Sequence, residues 1–193
     1  MGSISLKYKS KSGNLTAPGD VDPGAMIPLA TVTVGAGGSN AITFSSIPNT
    51  YEHLQVRCAA LTASGGTVVA LRCNSDSGLN YVAHSVNSTG TAIQSDAYNP
   101  ETYMRLYGRS VGTSSTYPTA MLADILDYAN TNKYKTMRTF SGCDTNGNGE
   151  VGFKSGLWMN TNAINTITIV NNNSSNFTQY SSFALYGIKR AGA

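Results

Sequence analysis

Charge, acid–base groups and long apolar runs are all scarce in this sequence. Only 12% of its 193 residues are charged, Glu stands at three positions (Glu52, Glu101 and Glu150), and His at two (His53 and His84). So little Glu is a poor composition for long exposed helices. No run approaches the roughly 18 apolar residues of a membrane-spanning helix. The start, MGSISLKYKSKSG, carries charge with no apolar stretch behind it, so neither membrane insertion nor an export signal is expected. Lipidation at Gly2 is excluded by Leu6, which stands where a Ser or Thr is required. Arg57, Arg72, Arg105, Arg109 and Arg138 are scattered among acids and form no basic stripe for tracking phosphates, so nucleic acid is not an expected partner.

What is abundant is turn chemistry. The chain holds 22 Ser, 21 Thr, 18 Asn and 20 Gly, while 40% of it is hydrophobic, enough to close a core and exclude disorder along the whole length. From Ile27 onward, alternating segments such as PLATVTVG, AITFSSI, NYVAHSV, TYMRLYGR, YKTMRTFSG, VGFKSGLWMN, AINTITIVN and SSFALYGIKR recur between Gly, Asn and Ser turns. About ten strands at this spacing, with no βαβ alternation, predict an all-β, antiparallel, jelly-roll-like β-sandwich. TAMLADILDY is the one stretch where a helix competes with a strand.

Residues 1 to about 26 differ from the rest. They contain Pro18, Pro23 and four glycines and lack sustained periodicity, so they read as an extended arm before a head of residues 27–193. The net charge of +3 equals the charge of Lys7, Lys9 and Lys11 in that arm, and the remaining side chains, Asp20 and Asp22 of the arm among them, balance at ten basic against ten acidic. Within ISLKYKS, Ile4, Leu6 and Tyr8 alternate with polar residues, a pattern suited to adding a strand to the edge of a partner's sheet.

Three cysteines, Cys58, Cys73 and Cys143, make an odd number with no CxxC spacing. A type I′ turn at Gly65-Gly66 predicts a hairpin that places Cys58 opposite Cys73, with Leu54, Val56, Cys58, Ala60, Val69, Leu71 and Cys73 on one face. That register makes the two a hydrogen-bonded pair, a poor geometry for a disulfide, so buried free thiols are expected.

Candidate chemistry is sparse. Asp144, Asn146, Asn148 and Glu150 imitate the first half of a calcium loop, but Ser155 stands where the bidentate acid belongs, so a tight Asn-Gly turn is the reading and no metal or other cofactor is expected. His53 and His84 sit in no catalytic pattern and read as structural. Asp124 and Asp127 would point to opposite faces of a strand, so they make poor paired acids. No catalytic residue is assigned and enzyme activity is not expected. Trp158 reads as a core or inter-subunit residue. Tyr-rich segments interleaved with Asn and Ser, SDAYNPETY and NNNSSNFTQY, read as loops with a composition suited to sugar recognition, which nominates Tyr98, Asn99 and Tyr103 as a recognition surface. The glycosylation sequons at Asn14, Asn87, Asn173 and Asn176 carry little weight in a chain with no export signal.

The phrases AITFSSIPNTYEHLQVR, DYANTNKYKTMR, SGLWMNTNAINTITI and NFTQYSSFALYGIK resemble a β-sandwich domain of structural proteins in tailed bacteriophages, especially phages of cyanobacteria and marine bacteria. The likeness runs from about Ile27 to Lys189. It implies a virion protein assembled in the host cytoplasm, tail-fibre-like or receptor-binding, commonly trimeric, with other tail, baseplate or capsid proteins as partners and a host surface glycan as ligand. Ile4, Leu6, Lys7, Tyr8, Lys9 and Lys11 would then form the attachment arm. A capsid decoration protein is the alternative, and a virion glycan-degrading enzyme is a third reading.

Overall fold

The computed structural model describes residues 24–64, 68–107 and 116–190. The six arm residues named above and the Gly65-Gly66 turn lie outside them. Twelve strands carry the described chain: β1 (Met26–Thr33), β2 (Ala41–Phe44), β3 (His53–Ala60), β4 (Val69–Cys73), β5 (Tyr81–Ser88), β6 (Ile93–Glu101), β7 (Met104–Tyr107), β8 (Thr119–Leu126), β9 (Lys135–Asp144), β10 (Gly149–Trp158), β11 (Ile167–Asn171) and β12 (Ser182–Ile188). TAMLADILDY folds as β8, where Met121, Ala123 and Ile125 alternate inward.

The strands form two antiparallel sheets, one of eight in the order β1-β12-β3-β8-β9-β10-β5-β6 and one of four in the order β2-β11-β4-β7. With the hairpins β5-β6 and β9-β10 set aside, the order β1-β12-β3-β8 over β2-β11-β4-β7 is that of an eight-strand jelly roll. The two hairpins are insertions that widen only the larger sheet.

The jelly-roll core is apolar on both inner faces. Leu54, Val56, Phe183, Leu185 and Ile125 of the large sheet face Ile42, Leu71, Ile167 and Ile169 of the small one. Each such side chain contributes about 1.5–3 kcal/mol by leaving water. Phe177 and Phe183 meet edge to face with ring centroids 4.9 Å apart.

The hairpin expected from Gly65-Gly66 does not form. β3 pairs with β12 and β8, so Cys58 lies between Phe183 and Met121, whereas β4 pairs with β11 and β7, and Cys73 lies beside Ile167. The inward faces were read correctly, but they belong to opposite sheets. The chain leaves β3 through buried Leu61 and crosses over, with Thr62 bridging to Phe177. Two apolar strand faces gain more by packing across the sandwich, each in the middle of its own sheet, than side by side on a single hairpin. All three cysteines are buried and free. Burial pushes the Cys58 thiol up to about 12.

The Asp144–Glu150 segment is the β9-β10 turn. Asn146 and Gly147 hold φ values of 53° and 101°, as a type I′ turn requires, and Thr145 N donates to Asn148 O at 2.6 Å. A second correction concerns SDAYNPETY, which is no loop: most of it is β6, an edge strand paired with β5. Its side chains are largely exposed because no second sheet covers it, which removes the alternation by which a strand is recognised.

Candidate functional site

Antiparallel register places Arg57, Leu122, Phe140, Phe153, Val86 and Ser95 in one row across β3, β8, β9, β10, β5 and β6. Cross-strand partners share a face, and this is the face turned away from the small sheet. Phe140 and Phe153 are 48% and 57% exposed and stack with centroids 4.8 Å apart and planes 29° from parallel. Val86 and Val151 extend the exposed apolar surface on either side.

Two hollows flank the phenylalanine pair. One, about 940 Å³, is bounded by Arg57, Leu122, Phe140, Val151 and Asn148; the other, about 440 Å³, lies among Phe153, Val86, His84, Ser155 and Arg138. Ser155 pairs directly with both His84 and Arg138, so a polar, cationic row runs beside the aromatic one. His84, read as structural, is thus an exposed residue of this face. A contiguous apolar patch with a polar rim is the ordinary form of a surface that another molecule covers.

The recognition residues named from sequence are arranged differently. Tyr98 is half-buried beneath Arg105, whose guanidinium carbon lies 4.0 Å from the ring centroid and 5.5 Å from that of Tyr103. Arg105 is held there by two hydrogen bonds to Glu101, at 2.9 and 2.5 Å. The structure brings Tyr98 and Tyr103 together, but around the chain's own cation, so the ring face of Tyr98 under Arg105 is closed to a sugar. Asn99 is exposed.

His53 belongs to a charged cluster near the ends of the head. The Asp127 N–H donates to His53 Nδ1 at 3.0 Å, with Asp127 Oδ1 at 3.5 Å from the same nitrogen. A ring nitrogen that accepts a backbone proton cannot also donate one, so the imidazole proton sits on Nε2. Glu52, His53 and Asp127 offer ligand atoms within 4.8 Å of one another. Each carboxylate is already matched by a cation, Lys133 on Asp127 and Arg190 on Glu52 at 3.6 Å. The hydrogen bond from Lys133 holds the Asp127 carboxyl below the usual carboxylate range, against the opposing effect of burial. This arrangement ties chain segments together and leaves His53 Nδ1 no spare lone pair. Asp127 stands in the turn after β8, while Asp124 on β8 accepts from Gln55 Nε2 at 2.7 Å.

Trp158 is a core residue. It is 1% exposed, and its Nε1 donates to Asp76 Oδ2 at 2.7 Å. Burial works to raise the Asp76 carboxyl, but hydrogen bonds from Trp158, Gly78 and Asn80 outweigh it and hold the group below the usual range.

Sequence reading missed Phe140 and Phe153. The alternation of VGFKSGLW marks a strand without fixing which set faces inward; the structure places Gly152, Lys154, Gly156 and Trp158 inside and leaves Val151 and Phe153 exposed. The signal that finds the true parity is the pair of glycines. A Cβ at Gly156 would lie 2.0 Å from Met104 Sδ, so that position must face the small sheet. No family model matches this chain, and neither a curated protein nor a solved structure does.

Proposed function

We propose that this chain is a structural protein of a tailed-phage virion, tail-fibre-like and receptor-binding in type, attached through residues 1 to about 26 and acting by binding. The observation that carries the reading is the exposed Phe140–Phe153 stack within an apolar row across the outer face of the large sheet. Such a face costs a free monomer solubility, and a neighbouring copy that covers it removes that cost. The trimer implied by the sequence resemblance supplies such copies. Jelly rolls serve widely in capsid and lectin domains, and this fold-level analogy supports the virion context without assigning a receptor.

The test has two arms. Sedimentation of the full chain at micromolar concentration is expected to show a trimer, and Phe153→Asp a folded monomer. A monomeric wild type counts against the oligomer. Antibody labelling of purified particles is expected to mark the tail in tens of copies or fewer. Hundreds of copies on the shell would replace this reading with a capsid decoration protein, and no label on particles would end it.

A further inference from the structure

On the inner side of the inserted hairpins, Lys154 and Asn87 are each 5% exposed, and Lys154 Nζ donates to Asn87 Oδ1 at 3.2 Å. With a carbonyl bond of about 1.23 Å, the amine nitrogen is then no more than about 4.4 Å from the amide carbon, close to the roughly 3–3.5 Å of a reactive approach. We propose that these two side chains form an intramolecular isopeptide bond that ties β10 to β5.

The strands are built to let them meet. Gly152 is the cross-strand partner of Asn87 and lies between Glu150 and Lys154 on the inner face of β10. A Cβ at Gly152 would sit 2.3 Å from Asn87 Oδ1 and 3.3 Å from both Asn87 Cγ and Lys154 Nζ. The glycine therefore vacates the space in which amine and amide converge. Lys135 is also buried, but its ammonium is spent on the backbone carbonyls of Lys133 and Thr161.

The leaving nitrogen is provided for as well. Asn87 Nδ2 donates to Ser85 Oγ at 3.2 Å, and Ser85 Oγ lies 3.5 Å from Asp96 Oδ2, a line from the amide nitrogen to a carboxylate. The Thr139 and Ser141 hydroxyls nearby are buried with no hydrogen-bond partner among the described residues. Burial lowers the pKa of Lys154, favouring the neutral amine, while Glu150 opposes the shift. In the reaction Nζ attacks Cγ, the Nζ–Cγ bond forms and the Cγ–Nδ2 bond breaks. The ammonium proton set goes with the leaving group, so R–NH3⁺ and R′–CONH2 become R′–CO–NH–R and NH4⁺. No oxidant, reductant or co-reactant is needed, and the proposal does not depend on a virion role.

Mass spectrometry of the purified full chain, incubated at neutral pH, tests it. The expected product is lighter than the sequence by one ammonia, about 17 Da, and digestion yields one branched peptide joining Asn87 to Lys154. A succinimide at Asn146-Gly147 or Asn148-Gly149 carries the same mass loss but reopens in mild alkali, whereas the isopeptide persists. Lys154→Arg should restore the full mass. Folded wild-type protein that gives two linear peptides with unmodified Lys154 and Asn87 overturns the proposal, whatever the variant does.

Discussion

On β3, β8 and β12 the positions facing the small sheet are Leu54, Val56, Met121, Ile125, Phe183 and Leu185; on β9, β10 and β5 the same face starts apolar with Met137, Trp158, Tyr81 and Ala83 and turns polar farther along at Thr139, Ser141, Lys154, Ser85 and Asn87. The outer face changes in the opposite sense, from Gln55 and Arg57 to Phe140, Phe153 and Val86. The small sheet has half as many strands as the large one and ends at β7. Sheet-to-sheet packing therefore keeps these inner positions apolar in the jelly-roll half, whereas the inserted half mixes polar and apolar residues inside and displays further apolar area outward. One continuous sheet thus has two characters, a core face on one side of β8 and an exposed aromatic face beyond it.

That contrast is breakable by mutation. The largest effect belongs to the jelly-roll half: Phe183→Ala should cost about 3–5 kcal/mol in chemical denaturation, because its cavity is walled by both sheets. Next comes the seam. Asp76 lies in the β4-β5 crossover and grips Trp158 of the inserted half, so Asp76→Ala should cost about 1–3 kcal/mol at neutral pH. The Asp76 carboxyl is held below its ordinary value in the folded chain, so its stabilisation is present above the unfolded value of about 4 and is lost as pH falls through the folded one. Denaturation curves of wild type and variant should accordingly converge in acid, and a gap that persists at low pH would disprove the linkage. Gly147→Ala, at φ 101° in the inserted hairpin, should cost about 1 kcal/mol. Thr139→Val should be the smallest, neutral or stabilising by up to about 1 kcal/mol, since it removes a buried hydroxyl that bonds to nothing among the described residues. A loss at Thr139 as large as that at Phe183 would erase the distinction between the halves.

Legibility from sequence follows the same boundary. In the jelly-roll half, HLQVRCAA, TAMLADIL and SFALYGI alternate because one face is buried, and the face expected to be inward on HLQVRCAA, that of Leu54, Val56, Cys58 and Ala60, is the buried one. What sequence could not say was which strand lies beside which: Cys58 and Cys73 share an inward orientation whether they are neighbours in a hairpin or face each other across a sandwich. In the inserted half both faces mix polar and apolar residues, so YKTMRTFSG and VGFKSGLW give no reliable parity, and the fully exposed run of β6 resembles a loop. The candidate site lies in this half, which is why its phenylalanines went unnoticed while Tyr98 and Tyr103, engaged with Arg105, drew attention.

The pairing of Met26 with Ile188 has a practical consequence for handling the protein. It brings the two ends of the head, near Gly24 and Arg190, out side by side at one end of the large sheet, while the turns at 89–92 and 145–148 cap the other. Under the proposed attachment through residues 1 to about 26, a tag fused after the last strand would lie beside the point where that segment leaves the head. A short epitope spliced into the 145–148 turn would stand at the far end of the sheet, away from both ends of the head.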